Sequence, residues 1–176
     1  GTVPLQLAKH LGATVATTTS AGNMALVKLL GADVVIDYKQ DAFEERLNGY
    51  DVVLNSQDGK TLAKSLGVLQ PGGHLISISG PPDPQFAEDI KAPWFVKQVM
   101  RALSWGTRRQ AQRRKVSYTF LFMQASGSQL RQITPLIESG AIRPVIDKVF
   151  PFESTNEAMA YVESGRAKGK VVIKVR

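Results

Sequence analysis

The stretch Thr14-Val-Ala-Thr-Thr-Thr-Ser-Ala-Gly-Asn-Met-Ala-Leu-Val-Lys-Leu-Leu-Gly-Ala-Asp-Val-Val-Ile-Asp37 decides the fold. Residues 14–18 are a β-branched run that predicts a short strand, residues 21–30 predict a helix closed by Gly31, and residues 33–37 predict a buried second strand. Two strands joined through a helix are a parallel pair, because a tight hairpin could join only antiparallel neighbours. Upstream, Val3, Leu5, Leu7, Ala8 and Leu11 recur at helical spacing, with Pro4 tolerated in the first turn and Gly12 as the stop. Downstream the alternation continues with a helix over 41–47, a strand over 50–55, a helix over 59–69 and a strand over 73–79. The pattern predicts an α/β domain with a doubly wound parallel sheet, Rossmann-like, covered by helices on both faces.

From Gly80 the rhythm changes. Gly80-Pro-Pro-Asp-Pro84 reads as a loop, residues 91–115 as a helix broken at Gly106, and residues 116–123 as a strand. A helix over 126–139, the segment Pro144-Val-Ile-Asp-Lys-Val-Phe-Pro-Phe152, a helix over 154–163 and a strand over 170–175 complete the chain. Ser154-Thr-Asn-Glu157 has the spacing of a capping box.

Composition narrows the functional classes. The chain has 176 residues, 43% of them hydrophobic, enough for one domain with a sizeable core. With no cysteine it has neither disulfides nor a thiolate nucleophile or metal ligand, and His10 and His74 lack ligand-spaced partners, so no metal site is expected. No apolar run approaches the ~20 residues that cross a bilayer, and the first residues do not read as a signal peptide, so a cytoplasmic location is the expectation. Much of the net charge of +7 lies between Lys91 and Lys115, where eight basic residues occur without an acid. The plain account of that segment is a solvated basic face over a packed core. Its apolar positions Trp94, Phe95, Val99, Leu103 and Trp105 would equally suit a substrate cleft or a dimer interface, and its basic face an anionic lipid surface. The Arg108–Lys115 cluster lacks the interleaved aromatics of a nucleic-acid stacking platform, so no nucleic-acid partner is expected.

Four segments then carry a resemblance: Gly1-Thr-Val-Pro-Leu-Gln-Leu-Ala-Lys9, Leu30-Gly-Ala-Asp-Val-Val-Ile-Asp-Tyr-Lys39, Leu69-Gln-Pro-Gly-Gly-His-Leu-Ile-Ser77 and Gly165-Arg-Ala-Lys-Gly-Lys-Val-Val-Ile173. They resemble the medium-chain dehydrogenase/reductase superfamily, in its zinc-independent quinone oxidoreductase-like branch. Residues 118–127 and 142–152 resemble the reticulon-4-interacting-protein-like subgroup. The resemblance implies the cofactor-binding part of an enzyme that passes hydride from NADPH to a small-molecule acceptor, a quinone or an activated alkene or carbonyl, most often as a homodimer. It also implies that an N-terminal GroES-like domain and the first Rossmann strand precede Gly1, so that these residues alone would be inactive. Residues 1–144 would then be the dinucleotide-binding domain and 145–176 a segment that returns to the catalytic domain. The alternative is a non-catalytic interaction module on the same scaffold.

Within that reading, Gly1 would be the last glycine of the phosphate turn, at a helix N-terminus. Counted back from Gly31, Thr18 stands where an NAD-dependent relative has an Asp that binds the ribose hydroxyls and repels a 2′-phosphate, so NADPH is favoured over NADH. Thr19 and Ser20 add hydroxyl donors, although Ser20 would equally cap the next helix. Tyr38 matches a position that contacts the adenosine, and Lys39, Arg166 and Lys168 supply charge where Asn23 replaces a basic residue of some relatives. Asn55, Ser79, Gly80, Phe122 and Met123 lie at strand ends that would line the ribose and nicotinamide, although Phe122 alone would suit a core. No catalytic acid, base or nucleophile is identified; Asp58 and Glu88 read as solvent-facing carboxylates. Hydride transfer is the cofactor's own chemistry and needs chiefly positioning from the protein.

Overall fold

Every strand pairing in the chain is parallel. The computed structural model describes residues 1–176, which divide into one unit of Gly1–Asp41 with Ser126–Arg176 and another of Ala42–Ala125.

In the first unit, helix α1 (Thr2–His10) leads to strand β1 (Ala16–Thr19), a 3-10 turn, helix α2 (Met24–Leu29) and strand β2 (Val34–Asp37). Ala16 pairs with Val34 and Thr19 with Asp37, so the stretch that decided the fold forms the parallel unit it predicts. Gly31, at φ 101°, ends α2 in a conformation that a side chain disfavours. Asp33 fastens the turn to α1: its carboxylate accepts from Lys9 Nζ at 2.8 Å and from the Val15 N–H at 2.7 Å. The Lys9 ammonium, with the Val15 amide, holds that carboxyl below the usual range. The unit resumes with helix α8 (Gly127–Glu138), strand β6 (Ile146–Pro151), helix α9 (Thr155–Glu163) and strand β7 (Lys170–Lys174), with β6 and β7 paired.

The two segments of this unit are joined through a buried glutamine. Gln6 Oε1 accepts from the Arg143 N–H at 2.8 Å, while Gln6 Nε2 donates to the Arg143 carbonyl at 3.0 Å and to Thr2 O at 3.1 Å. Gln6→Ala leaves those Arg143 backbone groups without their partner, and the expected loss is about 1–2 kcal/mol of stability. A lower urea midpoint at unchanged slope would register it; an unchanged midpoint would count against the clasp.

In the second unit, helix α3 (Phe43–Arg46), strand β3 (Tyr50–Asn55), helix α4 (Gly59–Ser65), strand β4 (Leu69–Ser77), helices α5 (Pro84–Asp89), α6 (Trp94–Leu103) and α7 (Trp105–Arg113), and strand β5 (Ser117–Phe120) follow in order. The sheet runs β3-β4-β5. Leu62, Leu66, Leu69, Leu75, Ala111 and Val116 form its core, with Val53 and Tyr118 packed against them. Leu75 of β4 and Leu66, which caps α4, are fully buried.

The α/β class with parallel strands is as expected, the strands forming three ladders, β1-β2, β3-β4-β5 and β6-β7. Several local expectations are corrected. The long basic helix is two helices, and the break falls at Ser104, with Gly106 inside α7. Ser104 is fully buried and its hydroxyl returns to the Met100 carbonyl at 2.7 Å. Helix α5 starts at Pro84, the last residue of the segment read as a loop; Asp83 caps it, accepting from the Phe86 N–H at 2.9 Å, and Pro84 occupies its first turn. Strand β5 stops at Phe120, so Phe122 and Met123 follow the strand, and β4 stops at Ser77, so Ser79 and Gly80 follow it. The capping box at Ser154 does not form. Ser154 closes a 3-10 turn at φ −95° and ψ 23°, outside the extended conformation from which a cap side chain reaches back.

Candidate functional site

In the first unit, α1 begins at Gly1 with no side-chain cap and no acidic residue in its first turn. Its amides and the positive end of its dipole therefore suit an anionic group such as a diphosphate. At the end of β1 stand the hydroxyl residues: Thr18 is exposed, and Thr19 and Ser20, the residue after the strand, are half-buried. Ser20 occupies the N-cap position of the 3-10 turn without a side-chain cap; its Oγ accepts from Asn23 Nδ2 at 3.5 Å. The helix-capping alternative for its hydroxyl is thus not realised. Asp37, in register with Thr19, is buried and accepts from the Lys39 N–H at 3.0 Å. Tyr38 follows it, 58% exposed, its N–H donating to Thr19 O at 3.2 Å.

Arg166 and Lys168 lie exposed on the loop between α9 and β7. Asp147 of β6 orders this loop, accepting from Tyr161 Oη at 2.7 Å and from the Lys168 N–H at 3.3 Å. The Tyr161 hydroxyl, more than any charge, holds the Asp147 carboxyl below its usual range. Neither Arg166 nor Lys168 hydrogen-bonds Thr18, Ser20 or Tyr38. Nothing in the spacing of the sequence pointed to Asp147, because its partners lie 14 and 21 residues away.

In the second unit, the ends of β3 and β4 carry a network of short polar side chains. Asn55 is buried at 3% exposure, and its Oδ1 accepts from the Gln57 N–H at 3.1 Å and from Ser77 Oγ at 3.5 Å. Ser77 Oγ in turn accepts from the Gly80 N–H at 2.9 Å, and Ser79 Oγ donates to Gln57 O at 2.5 Å. Gly80 is enclosed: a Cβ there would lie 2.6 Å from Tyr118 Oη, 2.7 Å from Leu62 Cδ1 and 2.8 Å from Ser77 Oγ. Tyr118 Oη donates to Pro81 O at 2.7 Å, and burial pushes its pKa up to about 12. Asp83 adds a tie across the loop, accepting from the Phe120 N–H at 3.1 Å. Asn55, Ser79 and Gly80 are therefore brought together on a rigid strand end. Both Ser77 and Asp83 escaped the sequence reading, although Asp83-Pro84 is a recognisable helix start.

Beyond β5, Phe122 packs on Phe86 with ring centroids 5.4 Å apart, and Phe86 meets Phe120 edge-on at 5.1 Å. Phe122 remains 58% exposed and Met123 88%, so Phe122 is no core residue; the two are exposed apolar side chains beyond the strand. The remaining titratable groups are structural in position. Asp58 caps α4 by accepting from the Thr61 N–H at 2.8 Å, Glu88 pairs with Lys97, and His74 Nε2 meets Thr119 Oγ1 at 2.9 Å. No three His, Asp or Glu side chains are grouped to hold a metal ion. A shallow cavity lined by Trp105, Arg108, Arg109 and Gln112 is made of none of the site candidates.

Residues 30–173 match the model of the family described as zinc-binding dehydrogenase. The chain is 32% identical over 182 residues to the mitochondrial NAD(P)H oxidoreductase RTN4IP1 of Danio rerio, an alignment covering 99% of the chain and 46% of that protein. It is 34% identical over 177 residues to the 2-methylene-furan-3-one reductase of Solanum lycopersicum, covering 98% and 37%. It is 32% identical to the chloroplastic NADPH-dependent alkenal/one oxidoreductase of Arabidopsis thaliana, again covering 98% and 37%. Among solved structures, the quinone oxidoreductase from Coxiella burnetii superimposes with a TM-score of 0.77 at 25% identity, over 99% of the chain and 49% of that structure. The chain thus spans less than half the length of each of these relatives.

Proposed function

The chain belongs to the zinc-binding dehydrogenase family, and from that premise we propose that it is the nucleotide-binding portion of an NADPH-dependent oxidoreductase. The observation that carries this reading is the end of β1, where Thr18, Thr19 and Ser20 replace the carboxylate that would repel a 2′-phosphate. The amides at the start of α1 would receive the diphosphate. Thr18, Ser20 and Tyr38 would face the adenosine, with Lys39, Arg166 and Lys168 providing cations. Asn55, Ser79 and Gly80, held in place by Ser77, would orient the nicotinamide ribose, and Phe122 and Met123 would shield the ring from water. Bound there, the dihydronicotinamide supplies a hydride. The chain's own residues position it and need no acid or base of their own.

The acceptor this reading favours is a quinone or an activated alkene, the latter in keeping with the names of the plant relatives. The expected assembly is a homodimer, which sedimentation would test.

Nucleotide titration of the full-length protein tests the cofactor. Saturable binding is expected for NADPH and weaker binding for NADH; equal affinity would end the argument from Thr18, and no binding of either would end the reading as a whole. Thr18→Asp places a negative charge within a few ångströms of the 2′-phosphate. At an intermediate dielectric that charge should weaken NADPH on the order of ten- to a hundredfold while sparing NADH. The ratio of the two dissociation constants is the readout.

A further inference from the structure

Helix α6 presents an apolar stripe to solvent. Phe95, Val99, Ala102 and Leu103 recur at intervals that place them on one face, and all four are exposed. Val96 and Met100, a quarter-turn away, are half-buried and carry the inward packing. Trp94, at 77% exposure, begins the helix, and Trp105, at 57%, begins the next. The apolar face is therefore turned outward, the reverse of what a surface helix does over its own core.

Along these two helices the charge has one sign, the nearest carboxylate being Glu88, which pairs with Lys97. Residues 90–137 contain no Asp or Glu, while Lys91, Lys97, Arg101, Arg108, Arg109, Arg113, Arg114 and Lys115 lie within the two helices and their flanks. In α7, Ala111 is buried in the core, which leaves Trp105, Arg109 and Arg113 on the outward side. The Arg109 guanidinium lies over the Trp105 ring, 4.9 Å from its centroid.

We propose that α6 and α7 form a docking surface for an anionic phospholipid bilayer. Tryptophans at the margins of an aliphatic stripe, with arginines beside them, match the depth profile of a membrane interface: acyl chains meet Phe95, Val99 and Leu103, and headgroup phosphates meet the cations. The helix lies on the bilayer, since no helix of the chain is long and apolar enough to cross one. Charge argues against the other occupants. A second copy docked symmetrically through the same face would bring two sets of cations together, of which Lys97 alone has a carboxylate partner, Glu88. Nucleic acid would satisfy the cations and leave the aliphatic positions Val99, Ala102 and Leu103 without a stacking role.

The two tryptophans of these 176 residues, Trp94 and Trp105, are both in this surface, so the fluorescence they contribute reports on it directly. Vesicles of phosphatidylcholine with roughly one-third phosphatidylglycerol should shift the emission to the blue and carry the protein into the pellet; pure phosphatidylcholine should do neither. Salt at about 0.5 M should reverse most of the binding. Each cation near an anionic surface strengthens adsorption by roughly fivefold, so Arg101→Ala with Arg109→Ala should weaken it about twenty-fivefold. Phe95→Ser with Leu103→Ser, both exposed and remote from the core, should abolish the blue shift at unchanged thermal stability.

The proposal is overturned by emission that is already blue before lipid is added, which would mean that another part of the protein covers the stripe. Equal binding to neutral vesicles would also overturn it, as would tighter, salt-sensitive binding to an oligonucleotide, or self-association that the Phe95→Ser with Leu103→Ser variant dissolves.

Discussion

Leu75→Ala is expected to destabilise the protein by about 2–5 kcal/mol, the range for truncating a fully buried leucine. Leu75 sits at the middle of β4, the central strand of its sheet, paired with Val53 on one side and Tyr118 on the other. Its side chain is fully buried among Leu62, Leu66, Leu69, Ala111 and Val116. Neighbours from two helices and two strands cannot collapse into the space without moving the sheet, which places the loss toward the upper part of the range. Chemical denaturation is the check: a midpoint within a few tenths of a kcal/mol of the parent would show that the site is not a packed core.

Gly80→Ala is expected to cost about 3 kcal/mol and to disturb the candidate nicotinamide side at the same time. The added methyl group would meet three side-chain atoms at under 3 Å, belonging to Tyr118, Leu62 and Ser77. Overpacking of this kind typically costs about 1–3 kcal/mol, and three simultaneous contacts put it at the top of that range. None of the three can withdraw freely. Tyr118 donates to Pro81, Ser77 accepts from the Gly80 amide itself, and Leu62 belongs to the core. A variant that kept both its denaturation midpoint and its nucleotide affinity would contradict the crowding at this position. A loss of affinity larger than the loss of stability explains would tie Gly80 to the cofactor.

The alternation of strands and helices was legible because its signals are local. Tyr50–Asn55 could be read residue for residue, since an apolar β-branched run between turn residues has no helical competitor. The parallel pairing followed from connection length alone. What escaped the sequence depends on partners far along the chain. The break at Ser104 looks as though it should fall at Gly106, because glycine is the stronger local breaker; burial of the serine and its bond to Met100 decide otherwise. Gln6 reads as an ordinary polar position on a helix, and only the Arg143 backbone makes it a buried fastener. Asp83 has a visible local role as a helix cap and an invisible one in holding Phe120, 37 residues away.

For the candidate site the division is similar. The hydroxyl cluster from Thr18 to Ser20 and the strand-end residues Asn55, Ser79 and Gly80 were proposed from their position relative to predicted strands. Ser77, which ties Asn55 to Gly80, and Asp147, which orders the loop of Arg166 and Lys168, were not, because a supporting residue leaves no motif.

The Gln6–Arg143 clasp also has a temporal meaning. Residues 42–125 lie wholly between the two segments that the clasp unites, so their unit can complete its contacts during synthesis while the other still lacks half of its chain. Closing a span of 137 residues adds little to the entropic penalty, which grows only as the logarithm of length. Its larger effect is on rate: contacts so distant in sequence raise the contact order and slow the last step of assembly. Until Arg143 emerges and pairs with Gln6, α1 is held only at its far end, where Lys9 meets Asp33.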